Sequence, residues 1–445
     1  MSTSISKEDI QRVFAAQQAN SWAVRKSTAD TRKARLLRLR EAIVAHGDAI
    51  QTALFEDIGR PVDDNGSFET FGILAAIDQA VENLEEWMAP VPVNATVAAS
   101  AYVRYEAKGV VLLFSAWNFP FTLLFEPLVP IIAAGNTVIV KPNEVSPASG
   151  RVAAAILREV FAENEVAVFE GDVEVADLLL ELPFDHIFLT GSRRVGRTVM
   201  AAAAKHLASV TLELGGKSPL IVDETSNFGD AIQQMGIGKS FNGGQVCISP
   251  DYVLVPNARR DEFVAQFSDF YRQMFYVDGV YQPARSSRII NERGFQRLQG
   301  YLTDAKARGA KVAFGGGTDA SKLLIEPTIL LDVPPDADVL QNEIFGPLLP
   351  VIGYDDAEAA IAHVQASTKP LALFLISNNE AFITRVIENT SSGGVSINGW
   401  APHYMDKALP FGGVGESGMG HYHGEYGFRE LSHARAVAYA RPLQG

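Results

Sequence analysis

The segment Phe241–Tyr252, FNGGQVCISPDY, holds the only cysteine of the chain, Cys247. It follows a Gly-Gly pair and precedes a Ser-Pro, so it sits on irregular backbone between a helical pattern and a strand that begins near Asp251. A thiol there is placed for access, and it becomes a nucleophile if a base or a lowered pKa supplies the thiolate. The plainer reading is a small buried hydrophobe, which free cysteines often are. Glu213, in TLELGGKSP, is the second candidate: a carboxylate at the end of an apolar strand, just before two glycines. Buried there without a partner it is costly, which leaves a structural ion pair or a general base of raised pKa. Asn118, in FSAWNFPF, is the third. Its amide could donate to a developing oxyanion or merely cap its own turn.

Two further segments suit a dinucleotide. VIVKPNEVSP sets Lys141 and Glu144 just after a strand, a cation and a carboxylate able to hold ribose hydroxyls. FLTGSRRVGRTVM runs from a strand through Gly191 and Ser192 into a helix, whose first amides favour phosphate. Gly191 and Gly196 are five apart, so this is not the G-x-G-x-x-G pattern. NEIFGPLLPV, with Glu343 and Phe345, reads by itself as an ordinary loop.

These residues need elements to bring them together. The first ninety residues read as helix, with Leu36, Leu39, Ile43, Ile50 and Leu54 at helical spacing, interrupted at GRPVDD (59–64). Residues 89–109 turn extended. From Gly109, short apolar strands alternate with helices, the signature of βαβ units and a parallel sheet. The alternation restarts near Ser218. Pro410 to Gly427 carries seven glycines and predicts a loop, and ELSHARAVAYARP a final strand. The expected fold class is α/β: a Rossmann-like cofactor domain (1–90 and 108–214), a second α/β catalytic domain (215–423), and a small β bridging or oligomerisation element (91–107 and 424–445). A chain of 445 residues is long enough for such a division.

The net charge of -14 argues against nucleic acid or an anionic membrane as partner. No apolar run reaches the roughly 20 residues of a membrane span. A polar start, MSTSISKEDIQRVF, and a single cysteine point to the reducing cytoplasm. One cysteine builds no thiolate metal cage, and no metal is expected.

Seven segments, WNFPF, AAGNTVIVKPNE, FLTGSRRVG, TLELGGKSP, FNGGQVCISPDY, NEIFGPLLPV and LPFGGVGESGMG, together resemble the NAD(P)-dependent aldehyde dehydrogenase superfamily, in its order and spacing. The 34 positions from Glu213 to Cys247 match its spacing of base and nucleophile. The short chain and the tail SGMGHYHGEYGFRELSHARAV are most similar to the compact, dimeric class-three branch, which includes bacterial coniferyl aldehyde dehydrogenases. The resemblance implies that Cys247 attacks an aldehyde and that Asn118 with the Cys247 N–H holds the oxyanion. Glu213 then activates water to release the acid from a thioester. It implies cofactor contacts, with NAD or NADP, from Trp117, Lys141, Glu144, Gly191, Ser192, Glu343 and Phe345, and makes Glu343 a second candidate base. It also implies a homodimer built through the bridging element.

The chain departs from the pattern at Arg193 and Arg194, at Asn143 in place of a usual serine, and at Val246 in place of a common threonine. The two arginines either favour the 2′-phosphate of NADP or face solvent; the expectation is solvent, with use of both cofactors. Trp400 and Tyr404 in NGWAPHYMD either wall the aldehyde tunnel or pack on the surface. Two other readings compete. An acylating enzyme that passes the thioester to coenzyme A commonly lacks the water-activating glutamate, which is present here. A thiol hydrolase needs a histidine against Cys247, and none of the eight lies in a recognisable partner motif.

Overall fold

A computed structural model describes residues 5–61 and 65–441. Residues 1–4, 62–64 and 442–445 lie outside it, and with them the first residues of the polar start, part of the GRPVDD interruption and the end of the expected bridging tail.

The N-terminal helices are α1 (Lys7–Arg25), α2 (Ala29–Ala45), α3 (Gly47–Ile58) and α4 (Asn65–Met88). Ser6 and Thr28 cap α1 and α2 through their hydroxyls. The extended stretch forms β1 (Val91–Val93) and β2 (Ser100–Ala107). The alternation that follows is β3 (Val110–Phe114), α5 (Thr122–Ala134), β4 (Thr137–Lys141), α6 (Pro147–Val160), β5 (Val166–Val168), α7 (Val173–Leu180), β6 (His186–Thr190), α8 (Arg193–Ala204) and β7 (Ser209–Glu213). β3, β4 and β6 are buried at every position, as uninterrupted apolar strands covered on both faces must be. α5 is buried all round, which fits a helix with scarcely a polar face.

These strands form one sheet in the order β7-β6-β3-β4-β5, all parallel. The chain runs outward from β3 through β4 to β5, then returns to the other side of β3 for β6 and β7. That reversal opens a crevice at the carboxyl ends of β3 and β6, where open α/β sheets bind ligands. A second sheet begins with β8 (Pro219–Val222), continues after α9 (Phe228–Ser240) with β9 (Tyr252–Pro256), and is completed by later strands. Its order is Lys311–Phe314, Thr328–Leu331, Leu348–Tyr354, β9, β8, Ala372–Ile376, Gly394–Ile397, parallel except at the first pair. Strands β1, β2 and Ser432–Tyr439 make a third, antiparallel sheet, with the last strand mostly exposed.

Two sequence expectations need correction. The glycine-rich stretch is not loop throughout: Gly418–Met419 adds an antiparallel strand to the first sheet beside β7. A Cβ at Gly418 would meet the Leu212 carbonyl at 2.0 Å, so the absent side chain is what lets the backbones pair. The tail is not strand from Gly424: Gly424–Glu430 is helix, and pairing starts only at Ser432. Buried Phe428 holds that short helix against Trp87 and Tyr105, and this packing outweighs poor glycine propensity.

Candidate active site

A cavity of about 510 Å³ opens beyond the carboxyl ends of the first sheet. Trp117 and Asn118 reach it from the turn after β3, Lys141 and Glu144 from the end of β4, and Gly191 and Ser192 from the end of β6. Glu213 is the last residue of β7. Cys247, Glu343 and Phe345 line the same cavity from the second half of the chain.

Cys247 is delivered by a left-handed turn. Asn242, Gly243 and Gly244 have φ of 51°, 62° and 73°, a run that only glycine and, less readily, asparagine sustain. A Cβ on Gly244 would lie 2.3 Å from the Gly346 carbonyl, so the turn packs directly on the loop bearing Glu343 and Phe345. The Cys247 surface opens onto the cavity rather than bulk solvent. Burial, then Glu343 and Glu213, push its thiol up to about 12, against the pull of the backbone N–H groups of Ile248 and Cys247 on the sulfur.

Asn118 is 3% exposed and donates one amide hydrogen to the Gln245 carbonyl at 3.1 Å, which ties it to the cysteine turn. Its own carbonyl accepts from Arg60 at 2.6 Å and from Asn242 at 3.1 Å. Arg60 in turn pairs with buried Glu69 at 2.7 Å. Asn118 and Cys247 line the same cavity.

The two carboxylates differ. Both oxygens of Glu213 are buried without a hydrogen-bond partner among the described residues. Burial, with the charge of Glu430, raises its pKa well above the ordinary carboxyl value. Glu343 accepts from the Gly216 N–H at 3.2 Å. Burial and Asp251 raise it to about 7, against Gly216, Arg193 and Arg297. It lies directly over the backbone at Gly215, where a Cβ would come within 2.2 Å of both its oxygens. Arg297 fastens the loop by donating to the carbonyls of Glu343 (3.2 Å) and Ile344 (2.7 Å). Asp251 accepts from the Ile344 N–H at 2.8 Å and pairs with buried Lys217.

The cofactor side fits a dinucleotide. Lys141 is buried and held by Glu144 at 2.5 Å. Ser192 caps α8, so the free amides of that helix open on the cavity. Gly196 lets α8 lie close on Leu214, 3.1 Å from a would-be Cβ. Trp117 and Phe345 meet edge to face at 5.5 Å. Of the two arginines, Arg194 is exposed and also lines the cavity, while Arg193 is drawn away from it. Arg193 is bound by Glu416 (2.7 Å) and Thr368 (2.8 Å), because the glycine-rich segment returns against α8.

Among the described residues no three potential metal ligands cluster, and no helix is long and apolar enough to cross a membrane. Sequence reasoning missed Arg60, Arg297, Thr190 and Tyr422. The last two line the cavity.

The Aldehyde dehydrogenase family model matches residues 2–437. The chain belongs to the aldehyde dehydrogenase family. Aldehyde dehydrogenase family 3 member A2 of Rattus norvegicus is 42% identical, covering 89% of this chain and 81% of that one. A protein of Pseudomonas aeruginosa described as a probable coniferyl aldehyde dehydrogenase is 41% identical over 96% of this chain and 90% of its own length. The aldehyde dehydrogenase of Mycobacterium tuberculosis complexed with NAD+ superposes with a TM-score of 0.90 at 27% identity, covering 99% of this chain and 92% of that one. This aldehyde dehydrogenase is therefore an oxidoreductase that acts on aldehydes with NAD(P), and its relatives include the class-three branch.

Proposed function

We propose that the enzyme oxidises aldehydes to carboxylic acids through a thioester on Cys247. The supporting observation is that Asn118, Glu213 and Cys247, from distant parts of the chain, line one cavity with every residue matched to the cofactor. The thiol, at about 12, is protonated at neutral pH, so attack on the carbonyl requires its proton to pass to a neighbouring carboxylate. Asn118 and the Cys247 N–H hold the resulting oxyanion, each worth about 3 kcal/mol in comparable sites. Bound NAD(P) supplies the hydride acceptor. Lys141 and Glu144 would hold one ribose, the start of α8 at Gly191 and Ser192 the phosphates, and Glu343 the other ribose, and Trp117 and Phe345 would contact the cofactor from the same cavity. Glu213, unpartnered and of raised pKa, is the base that activates water against the thioester, which favours hydrolysis over transfer to coenzyme A.

For the substrate, the rings of Phe119 and Phe241 stack at 5.7 Å, and Trp400 lies 6.3 Å from Phe241 with its indole bonded to the Ile248 carbonyl. This aromatic cluster, tied to the cysteine loop through Ile248, supports aromatic aldehydes, coniferyl aldehyde among them, with medium-chain aliphatic ones as the alternative. The first sheet with its helices acts as the cofactor domain and the second as the catalytic domain. The exposed third sheet supports a homodimer, and the enzyme works in the cytoplasm.

The test is benzaldehyde with NAD+ and no coenzyme A. Absorbance at the NADH band should rise with one benzoate per NADH, and Cys247→Ala should abolish both. A requirement for coenzyme A would overturn the hydrolytic reading.

A further inference from the structure

Behind Cys247 lies a group of buried titratable side chains that this route does not use. Glu126 comes from α5, Tyr404 and Lys407 from the segment after Gly394–Ile397, and Tyr422 and His423 from the glycine-rich stretch. Glu126 is wholly buried. Its Oε1 lies 2.9 Å from Lys407 Nζ, and its Oε2 accepts the Tyr404 hydroxyl at 2.9 Å, with His423 Nε2 3.5 Å away. Helix α4 makes room for the carboxylate: a Cβ on Gly72 would fall 2.2 Å from Glu126 Oε1. Burial pushes Glu126 up, but Lys407 and His423 outweigh it and hold it at about 2, so it only accepts.

A buried ion pair is a poor way simply to fill space. What this one does is fix a proton. Tyr404 has a single O–H and gives it to Glu126, so toward the neighbouring Tyr422 hydroxyl it can only accept. The Tyr422 side chain is 1% exposed and lines the cavity with Cys247 and Glu213. Its hydroxyl makes no well-formed hydrogen bond among the described residues, and neither oxygen of Glu213 makes one. Burial, then the charges of Glu126, Glu213 and Cys247, raise the Tyr422 phenol, against a contact with the Tyr404 hydroxyl that pulls it down. Unsatisfied polar groups sharing one cavity mark a place for a small hydrogen-bonding molecule.

We propose that Tyr422 is the second holder of the water that attacks the thioester, and that Glu126 with Lys407 are positioning residues that set the direction of its hydrogen bond; this rests on the thioester reading above. The water donates one hydrogen to Glu213 and the other to the Tyr422 oxygen, whose own hydrogen turns to Tyr404. Its lone pair is then free to face the acyl carbon. The water oxygen bonds to that carbon as one water proton passes to Glu213. The C–S bond breaks with its electron pair on Cys247 Sγ, and the second water proton leaves with the acid. Tyr422 keeps its proton, and nothing is oxidised or reduced in this step.

Tyr422→Phe, mixed rapidly with NAD+ and benzaldehyde, should give NADH in its first turnover at the wild-type rate. Its steady rate should then fall by about tenfold. Hydroxylamine, which attacks the thioester without an oriented water, should restore turnover and release the hydroxamate. Glu126→Gln should show the same pattern more weakly, and it carries the test if Tyr422→Phe does not fold. A steady rate within about twofold of wild type, a first turnover slowed in step with the steady rate, or no rescue by hydroxylamine would overturn the proposal. If wild-type enzyme itself forms no hydroxamate, the thioester reading fails first and takes this one with it.

Discussion

Glu213 and Glu343 line the same cavity as Cys247, but the two regions that carry them are built differently. Glu213 ends a buried strand, locked in register between Thr190 and Gly418, and its carboxylate finds no hydrogen-bond partner among the described residues. Glu343 rides on a loop, and the loop is held from outside by Arg297, by Asp251 and by the amide of Gly216. Strand register fixes the backbone of Glu213 and leaves its carboxylate free to take a proton. The bonded loop fixes Glu343 and occupies part of its acceptor capacity. The carboxylate without a hydrogen-bond partner among the described residues is free to take up a proton, as a base must, and the one anchored by an amide suits a ligand contact.

Substitution breaks the comparison most directly. Glu213→Gln should lower steady turnover by about 10² to 10⁴-fold, the range for loss of a general base. NADH should still form once per site, and hydroxylamine should trap about one acyl group per Cys247. Glu343→Gln should cost about tenfold in kcat/KM, mostly through a higher KM for the cofactor, as loss of a binding contact would. Trapped acyl-enzyme in Glu343→Gln, with free turnover in Glu213→Gln, would exchange the two roles.

How far each region was legible follows from the same contrast. Strand periodicity located β3, β4, β6 and β7, and residues at strand ends inherit their place from the strand. Asn118, Lys141, Gly191, Ser192 and Glu213 could therefore be picked out from local pattern. Glu343 reads as an ordinary loop residue because its anchors, Lys217, Asp251 and Arg297, lie 46 or more positions away and carry no local motif. The pairing of Arg193 with Glu416 was invisible for the same reason. Gly424–Glu430 was misread because its helicity comes from packing rather than propensity. One signal was present and unused: Glu126 is the only charged residue in TLLFEPLVPIIAA, a segment too apolar to face water. A lone carboxylate in such a helix is costly unless it is paired or neutral, and in the fold it meets Lys407.

The smallest effect separates the two carboxylates without kinetics. A carboxyl whose folded pKa is raised contributes full stability below its unfolded value and loses it as pH climbs through the folded pKa. For Glu343 the loss accumulates between about 4.5 and about 7 and is then complete. Glu213 is raised as well, by burial and then the charge of Glu430, so it too loses stability as pH climbs through its folded pKa. Replacement by glutamine removes the loss in each case. Both variants should match wild type in Tm at pH 4. The Tm advantage of Glu343→Gln should grow above pH 4 and level off near pH 7, and that of Glu213→Gln should grow in the same direction and level off at the titration of its own carboxyl. If both advantages levelled at one pH, the carboxylates would be sharing a single proton, and neither could be assigned a role apart from the other.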